Sequence, residues 1–515
     1  MRRLLALLLA AALVLSGCAG MAEQEDLEED WESYQPYLPE TPPEDAEDLG
    51  PAYPAAFSLP YHRDHTLDPV TCGEGVQETV ASLLCEPLFR LDESFQPVPL
   101  LCESWQWDDA GLVCTMTLRE DVLFSDGSPL TARDASETLQ RAMTSERYAY
   151  RLRNVADVAV SRGGELVVTL TAPNRGLPAL LDIPIVKRTT AAQRVPVGTG
   201  PYQLLEENGQ AYLQARPDWW QGKTLPVDVI PLVHAKDRDT ARYLFTARRV
   251  ELLAADPTDD PSLVSGQAQS VSQPTAIMQF IGFNTAPDRL FADAGLRALF
   301  SQGIDRETLV NAQLAKLAQA AQFPLSPLSS LYPAELEQTY SQEETLAALR
   351  QAGQDTGERK ELTLLVSGDD AFRSASARFI AEELSLLDWN ITVSQLPWEE
   401  YLAALEAGEF DLYFGEVRLT ADWDLTDLVG TDGPLNYGRY SSQVTDTLME
   451  LYLASDKQAE SAARLYSHLR NTAPIAPVCF KNYAVLTHPD VVEGLSPAPS
   501  NVFHGLENWR VHLAS

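Results

Sequence analysis

Apolar residues follow two different rhythms along this chain. In the first half they alternate. Trp105-Gln106-Trp107 and the run Leu112 to Leu118 are strand-like and are separated by Asp-Asp-Ala-Gly turn chemistry. Val158 and Val160 face Leu166, Val168 and Leu170 across Arg-Gly-Gly, and Gln203-Leu204-Leu205 faces Tyr212-Leu213 across Asn208-Gly209. These patterns predict hairpins. In the second half the spacing becomes helical. Leu296, Leu299, Phe300 and Ile304 share a helix face, and Asp305 is placed to cap a next helix carrying Leu309, Val310, Leu314 and Leu317. Leu362, Leu364 and Val366 then alternate as a strand. A helix through Phe372, Phe379, Ile380 and Leu384 follows, then Ile391-Thr392-Val393, a helix from Glu399 to Glu406, and the strand Asp411 to Phe414. That β-α-β-α-β order predicts a sheet flanked by helices. The chain thus reads as a β-rich first part and an α/β later part, without internal repeats.

Before either part, the apolar run Leu4 to Leu15 follows Arg2 and Arg3 and is closed by Ser16 and Gly17. It is too short for the roughly 20 residues of a membrane-spanning helix. The charged, apolar, small-residue order is that of a secretory signal over residues 1–17. Leu15-Ser16-Gly17-Cys18 resembles the bacterial lipobox, which would make Cys18 the lipidated first residue of the mature protein. From Ala19 to Gly50 stand twelve Asp and Glu and no Lys or Arg. Such a segment buries too little to offset its ordering entropy, so residues 18–50 read as a lipidated cysteine on a disordered acidic spacer.

The formal net charge of the whole chain is −36, and residues 51–515 stay acidic without the spacer. Phosphate binding wants a basic face, so nucleic acid is excluded as a partner, while a cationic ligand would be tolerated. With 515 residues and 45% hydrophobic composition, length and burial favour two or more domains. Besides Cys18 there are Cys72, Cys85, Cys102, Cys114 and Cys479, an odd number in no zinc-like spacing. Cys102 and Cys114 flank a predicted hairpin and either pair or serve as small buried apolar residues.

Catalytic signatures are missing. There is no Gly-x-Ser-x-Gly elbow. Val197-Gly198-Thr199-Gly200-Pro201-Tyr202 lacks the third glycine of a dinucleotide fingerprint and the Gly-Lys-Ser/Thr ending of a P-loop, and reads instead as a turn beside a strand. His62 and His65, with Asp64 between them, could be imagined as metal ligands, but no helix aligns the two and they fit a solvated loop better. The expectation is a protein that is not an enzyme and carries no cofactor and no metal.

A series of motifs then points to a family. Thr66-Leu67-Asp68-Pro69 and Glu86-Pro87-Leu88-Phe89 are followed by Leu101-Cys102-Glu103-Ser104-Trp105, Thr117-Leu118-Arg119 and FSDGSPLTARDA (Phe124 to Ala135). Gly198 to Tyr202, Phe283-Asn284-Thr285, GLRALFSQGIDRE (Gly295 to Glu307), Trp398, Gly408, Phe410-Asp411, Tyr440-Ser441 and Ala476-Pro477-Val478 complete the order. The succession resembles the extracellular solute-binding proteins of the peptide/nickel type, family 5, and covers nearly all of residues 58–480.

The resemblance implies a two-lobed, periplasmic-binding-protein-like α/β fold of type II with an extra β-rich subdomain at about 86–190. Lobe I would comprise 51–275 and 473–515, and an inserted α/β lobe II would comprise 276–472. The crossings are expected near Ser272 to Gly282 and Asn471 to Cys479. The implied function is a membrane-anchored receptor, monomeric, on the extracytoplasmic face of a bacterial cell membrane. It would capture di- or oligopeptides by lobe closure and pass them to an ABC permease and ATPase complex. A ligand-sensing lipoprotein, or an importer receptor for a nickel chelate, sugar or opine, is the alternative.

In peptide-binding members an aspartate in an Ala-Asp-Tyr motif takes the ligand amine. Ala421-Asp422-Trp423 matches it, with Asp424 as the rival because no Asp-Pro follows. Trp398 is then a candidate pocket wall, Arg418 a candidate carboxylate partner, and Glu416 and Tyr437 pocket candidates by proximity in sequence.

Overall fold

The computed structural model describes residues 56–258, 268–313, 317–352, 360–385 and 389–513. The apolar run, Cys18 and the acidic spacer lie outside these residues, as does Leu314. Among the described residues the strands form five sheets.

Strands β1 (Leu59–Tyr61), β8 (Tyr202–Glu207), β9 (Gln210–Ala215) and β10 (Val229–His234) make a sheet of order β1-β10-β9-β8. Between β8 and β9, Asn208 and Gly209 take φ of 53° and 77°. Two consecutive positive φ angles define the type I′ turn whose twist matches the strands it joins, which is why Asn-Gly stands there. Strands β2 (Phe89–Leu91) and β3 (Pro97–Pro99) form a short ribbon. Strands β4 (Cys102–Trp107), β5 (Val113–Leu118), β6 (Val155–Val160) and β7 (Leu166–Leu170) form the predicted hairpins, joined in the order β4-β5-β7-β6. The helix Ala132–Ala142 packs on them. Thr131 and Asp134 close its first turn as a capping box, with Thr131 Oγ1 2.5 Å and Thr131 N 3.1 Å from Asp134 Oδ2.

The largest sheet contains β11 (Leu252–Ala255), β12 (Gln269–Phe283), β13 (Ala318–Ala320), β14 (Lys360–Ser367), β15 (Trp389–Leu396), β16 (Leu412–Arg418) and β17 (Ile475–Thr487). Its order is β11-β17-β12-β16-β14-β15, with β13 also on β17. Strands β14, β15 and β16 run parallel and are linked by the helices Ala371–Ser385 and Trp398–Ala407, the predicted alternation. A final ribbon joins β18 (Val492–Glu493) to β19 (Arg510–Val511). One expected helix is shorter than its apolar spacing suggested: it runs Arg306–Gln313, and Leu317 instead leads into β13. Pairing with β17 overrides the helical spacing there.

Strands β12 and β17 are long enough to serve two parts of the molecule. Gln269–Gln273 pairs with Thr487–Tyr483 beside β11, whereas Ile277–Gly282 pairs with Lys481–Ile475 beside β16. The register is interrupted between Gln273 and Ile277. Pro274 has no N–H to give to the ladder, and side chains patch the gap. Thr275 Oγ1 donates to Lys481 O at 2.5 Å, and Asn482 Nδ2 donates to Ser272 Oγ at 2.8 Å.

The family motifs hold this frame together. Arg297, buried, donates to Thr472 O and Ala473 O at 2.7 and 2.9 Å, and Arg306 to Pro477 O at 2.8 Å. The two guanidiniums from GLRALFSQGIDRE thus satisfy carbonyls at the end of the helix Gln458–Thr472 and in the first residues of β17. Gly198 and Gly200 let their loop lie against the end of the helix Val76–Leu84, where a Cβ would stand 2.1 Å from Leu84 O and 2.4 Å from Leu83 O. Cys72, Cys85, Cys102, Cys114 and Cys479 are all free and buried. Cys102 does not pair with Cys114, because the β4–β5 register sets Cys102 opposite Leu118 and Cys114 opposite Trp107.

Candidate ligand cavity

A cavity of about 390 Å³ lies where the interrupted strands meet the rest of the molecule. Gln273 to Ala276 of β12 and Tyr483 of β17 form one wall. The others come from the His62–His65 loop after β1, the start of the helix Val76–Leu84, the segment Arg147–Arg151, the start of the helix Arg238–Thr246, the end of β11, and Arg418 at the end of β16 with Leu419 and Ala421 after it. A volume of this order is that of a small-molecule or short-peptide site.

Its charge differs from that of the molecule. The lining holds six Lys and Arg (Arg147, Arg151, Lys236, Arg238, Arg242, Arg418) against Glu74, Glu78, Asp182, Asp237 and Asp256. The chain as a whole has 38 basic and 74 acidic residues. Basic groups have been concentrated here in an acidic protein. Tyr148 organises two of them: the guanidiniums of Arg147 and Arg151 each lie 5.2 Å from its ring centre, and they pair with Glu78 and Asp182 respectively. Burial pushes the Tyr148 hydroxyl up to about 12, so it stays neutral at any physiological pH. At the rim, His62 and His65 stack at 3.5 Å and His234 meets His62 edge-on. Burial and then the neighbouring His65 lower the pKa of His62, which keeps it neutral near pH 7. No cluster of three metal-ligating side chains occurs among the described residues.

Of the six candidate ligand residues, Arg418 alone lines this cavity. It donates to Tyr483 Oη at 2.9 Å, and Glu74 lies 4.0 Å away. Asp422 is buried beside it, accepting from Asn174 Nδ2 at 2.7 Å, and burial together with the Asp424 charge raises its pKa. Asp424 binds Arg153 at 2.7 Å and caps Thr426 N at 2.9 Å. Glu416 faces Lys481 at 3.3 Å and Gln279 Nε2 at 2.9 Å. Tyr437 packs edge-on against Tyr413 at 6.3 Å. Trp398 is half exposed at the start of its helix and stacks on Tyr401 at 5.8 Å. The residues that sequence reasoning missed, Arg147, Tyr148, Arg151, Asp182 and Tyr483, are scattered over more than 300 positions. No motif spacing announces them.

The comparisons agree with this architecture. The model of the bacterial extracellular solute-binding proteins, family 5 Middle, matches residues 96–431. The glutathione-binding protein GsiB of Salmonella typhi is 23% identical over 434 residues, covering 79% of this chain and 84% of its own length. Among solved structures, the periplasmic murein tripeptide binding protein MppA in its unliganded open form aligns with a TM-score of 0.73 at 19% identity, covering 89% of this chain and 98% of its own. NikZ from Campylobacter jejuni in complex with Ni(L-His) aligns with a TM-score of 0.61 at 17% identity, over 90% of this chain and all of its own. GsiB and MppA are named for the ligands they bind, NikZ is in complex with Ni(L-His), and this chain shares the two-lobed, periplasmic-binding-protein-like α/β fold of type II. From its motifs, its strand order and this match over most of its length, the chain belongs to the bacterial extracellular solute-binding proteins of family 5.

Proposed function

We propose that this protein captures short peptides in the 390 Å³ cavity by lobe closure and delivers them to an ABC permease. The observation that carries the reading is the mixed, basic-enriched lining of that cavity in an otherwise acidic molecule. A zwitterionic peptide presents both signs of charge, and this wall answers both. Arg418, with Tyr483 Oη beside it, is the proposed partner of a ligand carboxylate. Asp422 and Asp424 are engaged by Asn174 and Arg153, so a role for either in holding the amine requires ligand entry to release them. The lobe crossings are proposed at the interrupted register, Gln273–Ile277 opposite Lys481–Tyr483. Residues 56–275 and 482–513 then form the first lobe and 276–481 the second, so the second crossing falls beyond the expected Asn471 to Cys479.

The same reading makes the protein a monomeric lipoprotein held at the outer face of the cell membrane through Cys18. The proposed anchor is a lipid on Cys18; no helix among the described residues is long and apolar enough to cross a membrane. Cys18→Ala should release the chain from membrane fractions or stall its processing, and a variant that still carries lipid overturns the anchor.

Ligand identity is tested by thermal unfolding of the purified protein against a panel of di-, tri- and tetrapeptides. A peptide at 100 times its Kd adds about 2.7 kcal/mol of stability. If no peptide stabilises the protein while a sugar or a nickel chelate does, the peptide reading falls.

A further inference from the structure

The proposed crossings put the β-rich subdomain in the first lobe, yet one face of it grips the second. Arg153, between the helix Ala132–Ala142 and β6, donates to Asp424 Oδ2 at 2.7 Å and lies 3.3 Å from Asp427. The Tyr150 ring centre lies 4.5 Å from the same guanidinium. Asn174, after β7, donates to Asp422 Oδ2 at 2.7 Å. The next residue adds two bonds. Arg175 N–H donates to Leu453 O at 2.8 Å, and the Arg175 guanidinium meets Asp456 at 3.0 Å. Phe95 stands edge-on to Trp423 at 5.1 Å.

Two features make this seam more than a packing contact. The first is charge. Lobe II sets Asp422, Asp424 and Asp427 within six residues, and carboxylates so close disfavour one another's ionised form. Asp424 Oδ1 is used inside the loop, by Thr426 N and Oγ1 at 2.9 and 2.6 Å, while Oδ2 goes across to Arg153. Asp422 is divided in the same way, with Oδ1 3.4 Å from Asp424 N and Oδ2 on Asn174. Closing the seam thus brings a cation and an amide donor to a cluster that repels itself. The second feature is fit. Gly176 has an ordinary helical φ of −77°, so its own backbone does not require glycine. A Cβ there would stand 2.6 Å from Asp422 Cβ and 3.3 Å from Asp422 Cα. The missing side chain makes room for the other lobe. Arg147, Tyr148 and Arg151, on the same segment as Arg153, line the ligand cavity, so one turn carries both cavity wall and grip.

We infer that the β-rich subdomain is a clasp for lobe closure and that Arg153 is a positioning residue for capture. Arg153 does not line the cavity; it acts through Asp424 and Asp427 on the share of molecules that stand closed. A ligand that binds only the closed form loses apparent affinity in proportion as that form is depopulated. The clasp rests on the lobe closure proposed above and adds to it a grip that works without ligand.

Hydrogen–deuterium exchange on the unliganded full chain reads the seam, because the Arg175 N–H is bonded across it. Arg153→Gln should speed exchange at Arg175 at least ~5-fold, and Arg153→Lys should restore part of the protection. Amides of the β5–β7 ladder should keep their wild-type rates. Gly176→Ala, a wedge that removes no charge, should give the same local rise. In titration calorimetry the best-binding peptide of the panel should bind both Arg153→Gln and Gly176→Ala at least ~5-fold more weakly. Wild-type exchange at Arg175 in either variant overturns the clasp. A rise that spreads through β5–β7 also overturns it, since Arg153 would then support the subdomain's own fold. So does unchanged peptide affinity with the seam exchanging faster. If no peptide binds the wild type, the peptide reading falls, and exchange in the unliganded protein still decides the clasp. Should Arg153→Gln not fold, Gly176→Ala decides by the same two measurements.

Discussion

Lys481 places a single ammonium, with its side chain 5% exposed, between Asp256 at 2.8 Å and Glu416 at 3.3 Å. Burial alone would raise the Asp256 pKa, but the Lys481 charge and hydrogen bond outweigh it and hold the carboxyl below its usual value. Burial would lower the Lys481 pKa, yet Glu416 and Asp256 raise it. The signs fix the pH behaviour. A depressed carboxyl contributes stability that is present above its unfolded pKa and lost as pH falls through the folded one. A raised lysine contributes stability that is full below its unfolded pKa and lost as pH rises through the folded one. This triad therefore stabilises the fold from weakly acidic pH to about pH 10. Lys481→Met strands two half-buried carboxylates and should cost about 1–3 kcal/mol at pH 7, with a smaller loss near pH 3 where Asp256 accepts a proton. Denaturant unfolding at the two pH values measures both. An equal loss at each would mean that packing, not charge, holds Lys481.

At the level of elements, β12 and β16 interlock by a reciprocal pairing. Phe280 stands opposite Gly415, and Gly282 opposite Tyr413. Each ring lies over the glycine across from it: a Cβ on Gly282 would come 2.0 Å from Tyr413 Cε1, and one on Gly415 would come 2.6 Å from Phe280 Cζ. Since Tyr413 is itself buried, it has nowhere to move. Gly282→Ala should cost about 1–3 kcal/mol by overpacking, read as a fall in unfolding midpoint, and Gly282→Ala with Tyr413→Leu should recover part of it. Elements of this kind were largely legible in the sequence. Alternation over 105–118, 155–170 and 203–213 gave the hairpins, and the helical spacing at 372–384 gave the link between parallel strands, because local side-chain periods report local burial. Leu317 was misplaced because β17, more than 150 residues away, captures its neighbours. The cavity was legible only at Arg418. Asp182 and Tyr148 act through contacts with residues remote in sequence, and such contacts leave no period behind.

On the scale of the whole molecule, both long strands cross between the proposed lobes at one irregular point, with Pro274 on one and Asn482 on the other. In the proposed closure, motion there would turn the two lobes on a short joint rather than bend a sheet. Binding of a stabilising peptide should lower the radius of gyration in solution scattering, and Arg418→Gln should weaken that response by removing a cation from the wall after β16. A peptide that binds without compaction would separate capture from closure. The buried thiols bear on how such motion is watched. Burial pushes Cys72 up to about 11 and Cys102, Cys114 and Cys479 to about 12, and raises Cys85 still further. Thiolate is the reactive form, so these five buried thiols should react slowly with a labelling reagent in the native state. A cysteine added to the surface of each lobe can therefore carry a spectroscopic label with the native ones left in place, and the distance between two such labels reports opening and closing directly.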